Sequence, residues 1–396
     1  MAGPRRCVLC VVHSPLFGGP HNKTINLAEP LRRRGWETVL AIPDEPGTAG
    51  PRVRAAEIEV EELPLTRVRA SLDPRVQLRF IRMFPAGVRA LEQAIARHGA
   101  DVVQIGGLVN PHAAFAARRA GAAVVWQVVD SRSPWPVRRG AMGLVRRYAD
   151  AVMFNGEALI DIHGGRPSLP QPTFVYFPPV DTDRFAPSRE RGMRVREKLG
   201  IPAEAPLVGT VSNLTPLKGL ETFVAAAKAL SASRPDARFV VVGSAPSSYA
   251  GYAERLRREA AGLDLAHPIV FVGDRDDVES WYAAMDVHVI ASRSEGTTTT
   301  ALEAQSCGVP LVATRVGAVH EVVDDGVTGL LVEPDRPDLM AEAVLRLLAD
   351  DGLRARFGAA GRAAGLERFS VERSADVHAE AYEAALAHAG ARGSVR

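Results

Sequence analysis

Short apolar runs and longer amphipathic stretches alternate along nearly the whole chain. The short runs are rich in Val, Ile and Leu and bounded by Gly, Pro, Asn or Asp, the pattern of buried strands. The stretches between them repeat at helical spacing. In the first half this predicts strands at 7–12, 38–42, 101–105, 122–128 and 151–154, with helices at 22–34, 75–98, 110–119 and 139–149. A second series predicts strands at 207–211, 238–242, 269–272, 287–290, 311–313 and 329–332, separated by helices at 219–233, 250–262, 275–285, 298–307 and 337–350. A last helix is expected at 371–392. Strands alternating with helices give parallel sheets covered on both faces, an α/β class.

Between the two series lies a proline-rich stretch, 167–206, with Pro170, Pro172, Pro178, Pro179, Pro187 and Pro202. Proline disfavours regular structure, so an interdomain connector is expected there. The resulting organisation is two Rossmann-like, doubly wound domains, 1–178 and 186–373, facing a central cleft, the preferred place for a ligand. At 396 residues the chain is also too long for one ordinary domain.

Charge changes the picture in one respect. The net charge is +2, which gives no global basic field for nucleic acid. Residues 1–150, however, hold 22 Lys and Arg against 13 Asp and Glu, while the remainder is net acidic. A basic half suits an anionic substrate or an anionic membrane surface, although arginine-rich solvated helix faces read the same way. The segment 75–84 places Arg75, Arg79 and Arg82 on one helical face beside Phe80 and Met83, and could lie on anionic lipid. Of three cysteines, Cys7 and Cys10 spell C-x-x-C, but within an apolar strand they point to opposite faces and read as core residues. No apolar run approaches the ~18 residues of a membrane span, and the run after Arg5-Arg6 is too short for a secretory core. A reduced, cytoplasmic protein is expected, with peripheral contact to an anionic membrane through its basic first domain as an addition.

The chemistry concentrates in 292–314, S-R-S-E-G-T-T-T-T-A-L-E-A-Q-S-C-G-V-P-L-V-A-T. A loop-to-helix junction at the carboxyl end of a parallel strand is where open α/β sheets bind ligands. Backbone N–H groups there favour an anion, most commonly phosphate. Thr297, Thr298, Thr299 and Thr300, with Gly296 before them, would offer such groups to a diphosphate. Glu303 lies one turn on, within reach of ribose hydroxyls, and Glu295 precedes the helix, where it would meet a sugar ring. Two carboxylates beside an anion site suggest a sugar nucleotide.

Further loops raise the odds. Lys218 ends V-G-T-V-S-N-L-T-P-L-K-G (208–219), where a point cation could neutralise a phosphate. Gly18 and Gly19 follow the first strand and allow close backbone approach. Gly243 and Gly273 follow strands of the second series and could frame a nucleobase. Each reads equally as an ordinary turn or surface residue when taken alone.

Taken together, these segments resemble the retaining GT-B glycosyltransferases of family 4. The resemblance covers nearly the whole chain. It runs through the Gly-Gly loop with R-R-R-G-W-E-T-V (32–39), P-V-D-T-D-R-F (179–185), L-T-P-L-K-G (214–219), V-V-G (241–243), F-V-G (271–273), the E-G-x6-E core and G-A-V-H-E-V-V-D-D-G-V-T-G-L-L-V (317–332). It implies that a nucleoside-diphosphate sugar is held mainly by the second domain, with Glu295 on the donor sugar, Glu303 on the ribose and Lys218 on the diphosphate. It implies same-face substitution, and a last helix, about 374–396, that returns to the first domain. Uridine is the first expectation for the base and guanosine the second, on family frequency. The acceptor would be a small-molecule or lipid-linked hydroxyl, with no cofactor and no metal.

Two departures stand out. Asn213 occupies the place of a family arginine, and Val129 that of a family histidine, with Asp130 retained as the one weak candidate for a base. Both departures would favour the rival reading, a non-catalytic sugar-nucleotide-binding partner subunit. An epimerase or phosphorylase on the same scaffold is a second rival; a phosphorylase would need a lysine-bound pyridoxal phosphate, for which no site is evident. Asp181 and Asp183 spell D-x-D within a structural family segment, where no metal is expected. Asp324-Asp325 reads as a solvated turn. His13, His21, His112 and His320 are expected in loops, the first and third near an acceptor. No G-x-G-x-x-G or G-K-[ST] motif appears.

Overall fold

The computed structural model describes residues 5–66, 74–108, 110–129 and 135–393. The chain divides into two compact units, Met1–Pro179 with Val371–Arg396, and Val180–Ser370.

The first unit is built on seven parallel strands: β1 (Arg6–Val11), β2 (Trp36–Pro43), β3 (Glu59–Leu63), β4 (Val102–Gly106), β5 (Ala123–Val128), β6 (Ala151–Asn155) and β7 (Thr173–Tyr176), ordered β3-β2-β1-β4-β5-β6-β7. The central strands are mainly apolar because helices cover both faces, with Gln104 and Gln127 the buried polar exceptions in β4 and β5. Its helices are α1 (Gly19–Arg33), α2 (Ala49–Arg54), α3 (Pro74–His98), α4 (Pro111–Ala120), α5 (Trp135–Tyr148) and α6 (Glu157–Ile162). Cys7 packs with the core under α3, α4 and α5, and Cys10 with the core on the other face. The alternation of a strand therefore separates the two thiols, and no disulfide links them.

The second unit opens with α7 (Arg189–Lys198). Its six parallel strands are β8 (Leu207–Val211), β9 (Arg238–Val242), β10 (Val270–Gly273), β11 (Val287–Ile290), β12 (Leu311–Thr314) and β13 (Gly329–Val332), ordered β10-β9-β8-β11-β12-β13. Between and after them come α8 (Leu220–Ser233), α9 (Ala250–Ala261), α10 (Val278–Ala284), α11 (Thr299–Ser306), α12 (Val319–Val322), α13 (Pro337–Ala349) and α14 (Asp351–Arg368). The last helix, α15 (Val371–Gly393), packs on α1 and on β5, β6 and β7 of the first unit.

The proline-rich stretch corrects one expectation. It is not a bare connector. Thr173–Tyr176 joins the first sheet at its edge, where the prolines before it interrupt no ladder. Ser188 then caps α7, its hydroxyl accepting from the Arg191 amide at 3.3 Å. Strand β3, E-V-E-E-L, also escaped the apolar pattern, because an edge strand with one neighbour tolerates charge.

Candidate functional site

At the carboxyl end of β11 in the second unit, backbone contacts set the frame before any side chain is considered. Gly219 has φ +58°, and a Cβ there would lie 2.1 Å from the Ala291 carbonyl oxygen. The Arg293 amide donates to Leu217 O at 2.8 Å. Gly317, at φ +52°, backs onto the Glu295 carbonyl so closely that a Cβ would lie 1.9 Å from it. Only glycine fits these positions, since each combines a left-handed backbone with no room for a side chain. The loops after β8, β11 and β12 are thereby fixed in register.

That frame brings Lys218 and Glu295 together. Lys218 Nζ donates to Glu295 Oε1 at 2.6 Å, and Ser292 Oγ donates to the same oxygen at 2.6 Å. The glutamate side chain is only 9% exposed, so the pair is worth more than a surface ion pair. Ser292 is held in turn through its carbonyl, which accepts from Thr314 Oγ1 at 2.6 Å. One residue past Glu295, Gly296 has open space around it. Helix α11 then starts with Thr298 as its cap residue, and Thr298 Oγ1 lies 3.0 Å from Thr300 Oγ1. In the first turn of α11 the Ala301 amide donates to Thr298 O at 3.1 Å, while the amides of Thr299 and Thr300 precede any carbonyl of their own helix.

Glu303 sits one turn further. Burial drives its carboxyl up to about 7, against the pull of the Tyr282 hydroxyl and of Arg184, while Glu279 adds to the rise. Tyr282 OH donates to Glu303 Oε2 at 3.0 Å. Tyr282 is itself fully buried, edge-on to Phe185 and His288. Arg184 donates to Glu279 Oε2 at 3.0 Å and to the Asp276 carbonyl.

The loops after β8, β9 and β10 are knitted similarly. The Gly243 amide donates to Gly273 O at 2.9 Å, and a Cβ on Gly243, at φ +125°, would lie 2.2 Å from Ser212 O. Gly273 has φ +73° and open space around it. Ser244 Oγ donates to Asp274 Oδ2 at 2.6 Å. Asn213 is exposed in the first of these loops. The nearby Arg293 offers no substitute for the absent arginine, because its guanidinium is spent on Asp335, Glu221 and the Pro216 carbonyl.

In the first unit, Gly18 precedes α1 in extended backbone, and neither Gly18 nor Gly19 has any atom where a Cβ would sit. Val129 is exposed and lies beside His13 and Gly107 at the carboxyl edge of that sheet. Asp130 lies outside the described residues. Two histidines expected in loops are helical and buried instead. His21 closes the start of α1, accepting from the Gly18 amide at 3.2 Å, and His112 stacks on Phe84, where burial lowers it to about 4. His320 is exposed in the short helix α12. Asp181 forms a turn, its Oδ1 accepting from the amides of Asp183 and Arg184. The Asp324-Asp325 turn is not simply solvated, for the two carboxylates accept from Arg368 and Arg315.

Sequence reading missed Ser292 and Tyr282. Ser292 stands inside the quoted S-R-S-E-G segment, but a serine three residues before a glutamate carries no signal by itself. Tyr282 is 21 residues from its partner, and only the packing of α10 against α11 joins them.

Comparison with known proteins places the chain among relatives of like fold. The family described as glycosyl transferases group 1 matches residues 205–350, and the glycosyl transferase 4-like domain matches residues 18–162. The chain is 33% identical to a GDP-mannose-dependent alpha-(1-6)-phosphatidylinositol monomannoside mannosyltransferase of Mycolicibacterium smegmatis, over 70% of this chain and 75% of that one. It is 33% identical to the lipopolysaccharide core biosynthesis mannosyltransferase LpsB of Rhizobium meliloti, over 55% of this chain and 62% of that one. It is 35% identical to a D-inositol 3-phosphate glycosyltransferase of Corynebacterium jeikeium, over 67% and 64% respectively. The chain thus spans 62%, 75% and 64% of the lengths of the LpsB, mannoside mannosyltransferase and inositol 3-phosphate glycosyltransferase relatives, less than two thirds for two of the three. Among solved structures, Anabaena HepE in complex with UDP superposes with a TM-score of 0.79 at 25% identity, covering 95% of this chain and 98% of that one. A glycosyltransferase from Rickettsia africae shares the fold, with a TM-score of 0.83 at 20% identity, covering 96% and 99%. With two parallel-sheet α/β domains and both family segments in order, the chain belongs to the GT-B glycosyltransferases of the group 1, glycosyltransferase 4-like family.

Proposed function

We propose that the protein is a retaining glycosyltransferase that moves a hexosyl group from a nucleoside-diphosphate sugar to a hydroxyl acceptor, small or lipid-linked. The observation that carries this reading is the Lys218–Glu295–Ser292 cluster held at the start of α11, with Glu303 one turn beyond. A diphosphate at the helix start would meet the first-turn amides and Lys218, which are donors aimed at the charge that grows as the sugar departs. Glu295 then bears on the sugar and Glu303 on the ribose. Fixed donors of this kind need no reorganisation during reaction, which favours the enzyme over a binding subunit. Gly243 and Gly273 would frame the base with backbone groups. UDP and GDP sugars are the first candidates, given UDP in the HepE complex and the GDP-mannose-dependent relative.

Thermal shift with UDP, GDP, ADP and dTDP and their sugars tests the donor assignment, which falls if none of these stabilises the protein. Glu303→Ala should then lose most nucleotide affinity. Donor hydrolysis or transfer by the wild-type protein separates an enzyme from a binding subunit.

A further inference from the structure

We propose that Arg293 is a positioning residue of the donor site: braced on Asp335, it seats the loop that carries Glu295 on the loop that carries Lys218, and so sets the contact between them. This role rests on the donor reading above and adds to it the group that keeps its cation and carboxylate in register. Arg293 lies between Ser292 and Glu295 in the loop after β11. Its backbone amide donates to Leu217 O, one residue before Lys218, at 2.8 Å. Its guanidinium reaches further. Nη1 donates to the Pro216 carbonyl at 2.9 Å and to Glu221 Oε2, in the first turn of α8, at 3.1 Å. Nε donates to Asp335 Oδ1, just before α13, at 2.8 Å. One side chain thus joins the loops that follow β8, β11 and β13, beside the starts of α8 and α13, which pack on one another.

Asp335 shows that this arrangement is held against a strain. Its φ is +55°, and with Glu57 it is one of two non-glycine residues in the left-handed region among the described residues. A side chain in that region is disfavoured, and the conformation persists only where its surroundings over-determine it, as they do at functional sites. Those surroundings are Arg293 and the Thr222 hydroxyl, which donates to the same Oδ1 at 3.4 Å. Stability alone is a poor reason to keep the pair, because Arg293 and Asp335 are 36% and 56% exposed and surface ion pairs contribute little. Its yield is geometric. Without the guanidinium, Glu221 and Asp335 become two carboxylates with no shared cation, and the turn Pro216–Lys218 loses its side-chain tie to the loop that bears Glu295.

The chain has four lysines, Lys23, Lys198, Lys218 and Lys228, so the Lys218 amine can be followed without any ligand. The full chain is treated with limiting acetic anhydride, and acetylation at each lysine is read by mass spectrometry. Lys218 should react about tenfold faster in Arg293→Met and in Asp335→Gly, the size of one lost hydrogen bond. The exposed Lys198 and Lys228 should keep their wild-type rates. Asp335→Asn keeps an oxygen for Arg293 and tolerates the left-handed backbone, so Lys218 should react there as in the wild type. Turnover of whichever UDP or GDP sugar the wild type consumes should fall ~10²-fold in Arg293→Met, the effect of a small misplacement at the reacting centre, and about tenfold in Asp335→Gly. Glycine relieves the strain at 335, so the melting temperature of Asp335→Gly should hold or rise while its turnover falls. A purely structural pair would lower both. Adding Arg293→Met to Lys218→Ala should cost little beyond Lys218→Ala alone, since both act through one contact. Wild-type acetylation of Lys218 in Arg293→Met, turnover that merely follows the melting temperature, or fully additive losses in the double variant would each overturn the proposal. If no UDP or GDP sugar is bound or consumed, the donor reading falls instead, and the acetylation rates still decide whether Arg293 sets the contact of Lys218 with Glu295.

Discussion

The two units share one architecture but commit their polar groups in different places. In the second, the polar side chains at the carboxyl edge hold one another: Lys218 and Ser292 on Glu295, Tyr282 on Glu303, Ser244 on Asp274. In the first, the polar network lies behind the edge. Lys23 donates to Gln127, whose amide nitrogen lies 2.9 Å from His378 Nε2, and His378 Nδ1 lies 2.7 Å from Ser374 O. Tyr382 OH donates to Gln104 Oε1 at 2.7 Å nearby. The same scaffold thus fixes a cluster of polar side chains, the proposed donor site, at the edge of one copy. In the other it uses buried polar groups to tie α1 to α15.

The sharpest way to break this comparison is a matched pair of glycine substitutions. Gly317→Ala forces a Cβ to 1.9 Å from the Glu295 carbonyl at φ +52°. Left-handed strain of ~1–2 kcal/mol and overpacking of ~1–3 kcal/mol both apply. Loss of about 3 kcal/mol is expected in urea unfolding of the second unit, with nucleotide stabilisation abolished. Gly19→Ala meets open space and should change stability by no more than about 0.5 kcal/mol. Equal losses would show that the second edge is no more rigidly framed than the first.

Lys218→Ala comes next. It removes the one lysine on Glu295 and strands a carboxylate that is 9% exposed. Turnover should fall by ~10²–10³, the cost of removing one preorganised donor, and donor KM should rise. Ser292→Ala keeps the cation and should cost about tenfold or less, the ~1 kcal/mol of a single hydrogen bond. Steady-state kinetics decide between them. A Lys218→Ala enzyme with wild-type turnover would remove the cation from the mechanism.

What the sequence revealed follows from the range of the interactions. The alternation of apolar runs located both central sheets, because a strand buried on both faces is mostly apolar. It missed β3 and β7, whose edge positions relax that demand. Glu295 and the threonines drew notice because loop, helix start and glycine stop lie within one short stretch, and Lys218 because it ends a separate strand-to-helix loop at Gly219; their meeting is visible only in the structure. Tyr282 was not, because its link to Glu303 depends on helix packing, and helix packing leaves no local spacing. His21 and His112 misled for the converse reason. Histidine suggests chemistry in a sequence, but here one ring closes a helix start and the other fills an aromatic cluster.

The Glu303 and Tyr282 pair sharpens the comparison through pH. Because burial lifts the carboxyl to about 7, the folded protein holds its proton more tightly than the unfolded chain. The sign follows: stability declines as pH rises from about 4.5 to 7, where the unfolded chain gives up a proton that the buried group retains. Glu303→Gln should flatten that decline in thermal melts. A nucleotide hydroxyl that donates to the carboxylate favours its ionised form, so donor affinity should rise across pH 7 in the wild type and not in Glu303→Gln. Tyr282→Phe removes a hydrogen bond that favours the ionised form. The midpoint of the affinity profile should therefore move upward by ~1 unit, about 1.4 kcal/mol. A profile unmoved by Tyr282→Phe would mean the hydroxyl only packs.

Lys23 gives the smallest effect and the cleanest contrast. Burial lowers its ammonium to about 8 from an ordinary 10.5, and its ligands are an amide oxygen and the Tyr176 ring, with no carboxylate among them. His378, held near 3 by burial, stays neutral and adds no counter-charge. Here the folded state binds the proton less tightly than the unfolded chain, so stability should rise as pH climbs from about 8 to 10.5, opposite in sign to Glu303 and in a separate window. Lys23→Met removes the buried charge while keeping most of the packing volume. It should abolish the alkaline rise and shift the melting temperature by a few degrees or less, while donor affinity stays at the wild-type value. If Lys23→Met instead weakened nucleotide binding as Lys218→Ala does, the lysine of the first unit would belong to the donor site. The division between an edge built for ligand and a network built for structure would then fail.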